Sequence, residues 1–175
     1  MYLQVLSVLF LVPMLAAVLV IDMQEYRGCP GHKYDIDLSS MEFDYDDDGF
    51  IIVSGNFTFL KDIVPPYPMY VYAEKMERGE WKRTFIDKYI PDFCSVIQNF
   101  NEIWYPITKN LNQKYCPFKA GFVAQINDNV RYKFPVTLTH NFVGEWRMIV
   151  ECRDISEKNS ESFGCWMQYA SLIEI

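Results

Sequence analysis

Residues 49–62 read Gly-Phe-Ile-Ile-Val-Ser-Gly-Asn-Phe-Thr-Phe-Leu-Lys-Asp, and the triplet Asn56-Phe57-Thr58 within them is an N-glycosylation sequon. A glycan has to face solvent and side chains alternate faces along a strand, so the sequon sets a register. Ser54, Asn56 and Thr58 then point outward, while Ile51, Val53, Phe57 and Phe59 point to the core. The polar and apolar sets separate as a half-buried strand requires.

The same test applied to residues 144–153 places Glu145, Arg147, Glu151 and Arg153 on one face and Trp146, Met148, Val150 and Cys152 on the other. Ile149 falls on the charged face and is expected there as a single exposed apolar side chain. Upstream, Tyr34, Ile36 and Leu38 alternate with Lys33, Asp35 and Asp37, and Met41, Phe43 and Tyr45 alternate with Glu42 and Asp44. The phase slips at Ser39-Ser40, where a bulge restores the inward face. Further strands are expected over 68–75, 80–89, 121–126, 130–136 and 163–174, separated by Pro, Gly, Asn and Asp clusters, with Arg78-Gly79 as a tight hairpin turn. Regular short strands of this kind predict a mostly β chain folded as a two-sheet sandwich.

One segment departs from the β pattern. Phe93, Val96, Ile97, Phe100, Ile103, Trp104, Ile107 and Leu111 recur at helical spacing, which predicts one helix over about 91–105 and a short helical continuation toward Cys116. Pro91 and Asp92 suit its first turn, and Pro106 is expected to end or kink it near Tyr105.

The first twenty residues hold no Asp, Glu, Lys or Arg, and the charged chain starts at Asp22. This reads as a secretory signal peptide with a cleavage boundary in the range 17–22, which leaves residues 21–175 as a single domain. Without a basic flank, and long enough to span a bilayer, the run has an uncleaved anchor as its alternative reading. The formal charge of −7 repels phosphate backbones, so no nucleic acid partner is expected. The five cysteines include no C-x-x-C pair and the chain has only two histidines, so disulfides are expected and no metal is. An odd count leaves one thiol over.

Two motifs tempt a more specific reading. Asp44, Asp46, Asp48 and Gly49 match the opening of a calcium-binding loop, but Gly55 stands where a bidentate Glu is needed and both flanks read as strands. An acidic turn is the expectation. No G-x-S-x-G elbow, P-loop or H-E-x-x-H occurs, and His32 and His140 lie in loop contexts, so no enzyme activity and no cofactor are expected. The surplus is in aromatics: 13 Phe, 12 Tyr and 4 Trp exceed what one small core requires.

Taken together, Tyr70-Val71-Tyr72, Gly79-Glu80-Trp81-Lys82, the helix-opening Asp92-Phe93-Cys94, residues 115–121 (Tyr-Cys-Pro-Phe-Lys-Ala-Gly) and Gly144-Glu145-Trp146-Arg147-Met148 resemble the secreted, insect-expanded branch of the lipid-recognition (ML) domains, the branch similar to the ganglioside activator protein. The resemblance runs from Cys29 to Ile175. It implies an immunoglobulin-like sandwich whose sheets splay to admit a lipid-sized cavity, with no catalysis. It implies the disulfides Cys94–Cys116 and Cys29–Cys165, which leaves Cys152 free; a Cys152–Cys165 bridge that frees Cys29 is the alternative.

The function expected on this basis is a secreted, extracellular, non-enzymatic carrier, monomeric, for a fatty acyl lipid, a sterol or a hydrocarbon-like molecule. The candidate cavity residues are Phe57, Phe59, Trp146 and Met148 from the strands and Phe93, Ile97, Phe100 and Trp104 from the helix. Two rivals stand beside it: an extracellular recognition or receptor-accessory module with a filled core, and a thiol-dependent enzyme using Cys152 or Cys29.

Overall fold

A computed structural model describes residues 19–32, 34–46, 50–127, 129–132, 140–153, 162 and 164–174. The predicted signal segment lies outside them up to residue 18. Among the described residues the chain is mostly β, with β1 (Leu19–Gly28), β2 (Ile36–Asp37), β3 (Met41–Tyr45), β4 (Ile51–Phe59), β5 (Met69–Glu77), β6 (Glu80–Ile90), β7 (Val123–Gln125), β8 (Val130–Tyr132), β9 (Gly144–Cys152) and β10 (Gly164–Glu174). Two one-turn helices, α1 (Phe93–Val96) and α2 (Tyr105–Thr108), lie between β6 and β7. The strands form two five-stranded sheets. One runs β1-β10-β9-β5-β6; in the other, β4 pairs with β2 and β3 along one edge and with β7 and β8 along the other. Every pairing is antiparallel.

Alternation builds both inner faces. In β4 the residues Ile51, Val53, Phe57 and Phe59 share the inward side, while Asn56 sits on the outward side, half-buried and opposite Gln125 of β7. In β9 the inward set is Met148, Val150 and Cys152, and in β10 it is Trp166 and Gln168. The slip at Ser39-Ser40 is a one-residue insertion. Asp37 pairs with Thr58 and Met41 with Gly55, so four steps along one strand oppose three along the other. The extra residue lets both Ile36 and Met41 face inward.

Gly55 makes this possible. Its φ is +96°, and a Cβ there would lie 2.1 Å from the Ser40 carbonyl oxygen, which accepts the Asn56 N–H at 3.2 Å. At the β5–β6 turn, Arg78 and Gly79 have φ of 55° and 84°, the two positive values of a tight two-residue hairpin.

The segment 91–105 is not one helix. Asp92 caps α1 through its carboxylate, which accepts the Cys94 N–H, and the helix ends after a single turn. Asn99 then closes its own local turn by accepting the Asn101 N–H at 3.1 Å, and the following bonds, Glu102 to Asn99 and Tyr105 to Glu102, are of the tighter i to i−3 kind. A side chain that bonds its neighbouring backbone competes with helix propagation. Pro106 does not end a helix but sits in the first turn of α2, where its missing N–H costs nothing.

Two other outward assignments are corrected. Ile149 is 3% exposed, because the outer face of the first sheet carries its own apolar cluster with Cys165 and Met167, packed against Cys29, Tyr72 and Tyr169. Asp35 is 0% exposed. It stands in a bend just before the two-residue β2 ladder, so no pairing enforces alternation there, and Tyr34 takes the exposed position.

Disulfides join Cys29 to Cys165 and Cys94 to Cys116, and Cys152 is free and buried. The first ties the end of β1 to β10; the second holds α1 against the loop that enters β7. Two disulfides are the chemistry of an oxidising, extracellular-type compartment. No helix among the described residues is long and apolar enough to cross a membrane. Leu19, Val20 and Ile21 pair with Glu174, Ile173 and Leu172, so within the 17–22 boundary a cut after residue 19 or later shortens β1.

Substituting Gly55→Ala is expected to lower stability by about 2–4 kcal/mol, since it both forces an L residue to positive φ and drives Cβ into the Ser40 carbonyl. Thermal unfolding checks this: the expected fall in Tm is roughly 5–15 °C for a domain of this size.

Candidate functional site

The two inner faces do not fill the space between them. A cavity of about 250 Å³ remains, walled by both sheets and by the α1–α2 segment. The first sheet contributes Met69 and Val71 from β5, Met148, Val150 and Cys152 from β9, and Trp166 and Gln168 from β10. Opposite them stand Ile36, Met41, Phe43, Ile51, Val53, Phe57 and Phe59, and the helical segment adds Phe93, Ile97, Ile103, Trp104, Ile107 and Thr108. The wall is almost wholly carbon and sulfur.

Stacked rings make one part of the wall rigid. Phe59 stacks on Phe118 at 4.5 Å and on Phe122 at 6.4 Å, and Phe57 meets Phe59 edge-on at 5.5 Å. Phe118 is fully buried and is held by paired backbone bonds with Ile63, at 2.8 and 3.0 Å. Phe93 and Trp104 meet edge-on at 5.7 Å.

Where β9 ends, a buried polar knot crosses between the sheets. Asp35 Oδ2 accepts from the Cys152 thiol at 2.7 Å and from the Tyr67 hydroxyl. Its Oδ1 has no hydrogen-bond partner among the described residues. A Cβ added to Gly164 would lie 2.4 Å from this carboxyl, so β10 packs directly onto it. Burial, and secondarily the adjacent Asp35 carboxylate, pushes the Cys152 thiol above its ordinary value of 9.0. Burial also leads in raising Tyr67 above 10.0, with the charged forms of Cys152 and Asp35 adding to it. Both groups keep their protons and act as donors. Neither is a nucleophile at neutral pH.

Six of the eight candidate residues come together in the wall: Phe57, Phe59, Phe93, Ile97, Trp104 and Met148. Two do not. Phe100 is 76% exposed, because the helix that was to turn it inward ends at Val96 and the chain goes on in tighter i to i−3 turns. Trp146 shares the face of Met148 but lies past the cavity. It stacks on Phe142 at 5.7 Å, donates its indole N–H to the Phe142 carbonyl at 2.7 Å and carries Lys75 at 5.4 Å from its ring. Sequence reasoning missed Tyr67, which lies in a Pro-flanked loop with no periodicity, and it missed the inward turn of Asp35.

The other tempting motifs resolve simply. Asp46 accepts the Phe50 N–H at 2.9 Å and pairs with Arg131 at 2.5 Å, closing the turn between β3 and β4, which are strands; residues 47–49 lie outside the described residues. His140 is exposed and pairs with Glu174 at 2.7 Å, and His32 is exposed in a turn. No cluster of metal-ligating side chains occurs among the described residues. No protein-family model and no curated protein matches the sequence.

The folded state holds the Cys152 and Tyr67 protons at pH values where the unfolded chain releases them. Their contribution is therefore complete below about pH 9 and is lost as pH rises above the ordinary thiol and phenol values. Melting curves taken across the alkaline range should show Tm falling from about pH 9 upward. Iodoacetamide at pH 8 should leave the native thiol unlabelled and add one label per chain in denaturant; rapid native labelling would contradict the buried, protonated assignment.

Proposed function

We propose that the protein is a secreted, non-enzymatic carrier or binding protein that holds a lipid or other small hydrophobic ligand between its two sheets. The observation that carries this reading is the apolar cavity of about 250 Å³. The cavity is partly open to solvent, so without a ligand its apolar wall stands against water, and an apolar ligand gains by displacing that water.

Size narrows the ligand. The cavity exceeds the roughly 150 Å³ that accepts benzene and falls below the roughly 300–1,000 Å³ of sites for drug-sized molecules. An acyl chain of moderate length, or part of a longer one, suits it better than a whole sterol. Each buried methylene contributes about 0.8 kcal/mol, so binding strength grows with chain length until the volume is used. Further support comes from the resemblance to lipid-recognition domains, from the disulfides, and from the uncharged N-terminal run that reads as an export signal.

The rival readings lose ground on the same observations. A recognition module needs no void in its core. A thiol enzyme needs an accessible, acidified cysteine, whereas Cys152 is 1% exposed, protonated and hydrogen-bonded, and Cys29 is in a disulfide.

The test is a thermal-shift series on delipidated protein with dodecanoic acid, cholesterol and dodecane. A ligand at about a hundred times its Kd stabilises by about 2.7 kcal/mol, which raises Tm by roughly 5–10 °C. Met148→Trp, which fills part of the cavity, should abolish the shift. No shift and no uptake with any of the three probes would contradict the carrier reading.

A further inference from the structure

The polar side chains that reach the cavity wall are turned to protein partners. Tyr67 and Cys152 donate to Asp35. Thr108 donates its hydroxyl to the Ile97 carbonyl at 2.7 Å, and Gln168 donates its amide to the Gln24 carbonyl at 2.8 Å. The Trp104 indole nitrogen and the Tyr132 hydroxyl have essentially no accessible surface, toward the cavity or toward solvent. What faces the ligand space is almost entirely carbon and sulfur. A polar group carried into it gives up its water and receives little in return. The wall reaches solvent at Ile103, which lines the cavity and is 42% exposed.

The sulfur is a second observation. Met23 on β1, Met41 on β3, Met69 on β5 and Met148 on β9 line the cavity, which gathers there four of the chain's eight methionines. These strands belong to both sheets, so a molecule held between the sheets meets thioethers on either side. Methionine is unbranched, turns about three side-chain bonds and refills irregular space at low cost. The rings behave in the opposite way, with Phe59 stacked on Phe118 and Phe122, and Phe93 set edge-on against Trp104. Part of the wall is fixed and part of it is compliant.

We propose that the cavity selects its ligand by apolarity and not by shape: it takes saturated, cis-unsaturated and methyl-branched acyl chains alike, the methionines refitting around each, and it excludes chains that carry a polar group along their buried part. The inference rests on the carrier reading and names the ligand class of that same site. The carboxyl end of such a chain stays in water at the Ile103 mouth, since the wall inside offers it no partner. Met41, Met69 and Met148 are the residues that set this tolerance.

The experiment measures binding of four twelve-carbon probes to the delipidated full chain by calorimetry: dodecanoic, cis-5-dodecenoic, 10-methylundecanoic and 12-hydroxydodecanoic acids. The first three should bind within about threefold of one another. The fourth has a polar group at each end, one of which has to enter the cavity, and should bind about tenfold more weakly or worse. In the combined variant Met41→Leu, Met69→Leu, Met148→Leu, volume and apolarity are kept and flexibility is removed. Dodecanoic acid should still bind within about threefold, and the spread among the three shapes should widen to about tenfold. Methionine-methyl ¹³C spectra of the unsubstituted protein give an independent readout: the cavity methyls, assigned from single Leu variants, should take a different position with each shape, while Met76, which does not line the cavity, stays in place. A tenfold spread among the shapes in the unsubstituted protein, a folded combined variant that tolerates them equally, or cavity methyls that respond identically to all three overturns the role of the methionines. Binding of the hydroxy acid as tight as that of dodecanoic acid overturns the exclusion of polarity. Each of these leaves the carrier reading standing, whereas failure of the unsubstituted protein to bind any of the four probes overturns both.

Discussion

Each of the two sheets turns an apolar inner face toward the other, and both inner faces have to leave water together. Everything else in the molecule follows from how incompletely they manage it. Sheets packed face to face sit roughly 10 Å apart, a gap that interdigitated side chains normally fill. Here the large rings gather where Phe59, Phe118 and Phe122 stack, and the Asp35 knot pins the end of β9 to the opposite layer. Between these anchors the inward residues of β4 and β9 face each other across open volume. The outer face of the first sheet adds a second, smaller apolar cluster around the Cys29–Cys165 bridge. The sandwich is held at these margins, and a cavity of about 250 Å³ lies between them.

How much of this was legible in the sequence depends on how far each segment is governed by its own pairing. β4 and β9 are nine-residue strands in the middle of their sheets, and there alternation alone placed Phe57, Phe59 and Met148 correctly. Asp35 precedes a ladder of two residues, and alternation has no authority there. Ile149 obeyed the alternation but not the rule that outward means exposed, because a disulfide and its neighbours cover that face. Phe100 and Trp146 failed for a different reason: periodicity tells which side of an element a residue is on, not where the element stops or where the cavity ends. The helix ends at Val96 and Asn99 closes a separate turn beyond it, and Trp146 finds its partner in Phe142, four residues away.

The buried polar groups divide the molecule's chemistry into what is closed and what is open. The Asp35, Tyr67 and Cys152 group has the composition of a reactive site and the environment of a structural one. Two protonated donors converge on one carboxylate oxygen, deep in the core and away from water, and the result stiffens the fold. The cavity has the opposite character, with almost no polarity and no filled volume. Among the described residues the buried polar atoms without a hydrogen-bond partner include Asp35 Oδ1 and the Trp104 indole nitrogen.

Native mass spectrometry of the protein produced in eukaryotic cells tests the central claim most directly. If the cavity is a ligand site, the gently ionised protein should carry a non-covalent adduct with the mass of one small lipid, which organic extraction removes and added acyl lipid restores. Repeated spectra of the bare protein, together with no adduct after incubation with fatty acids, sterols or hydrocarbons, would contradict it.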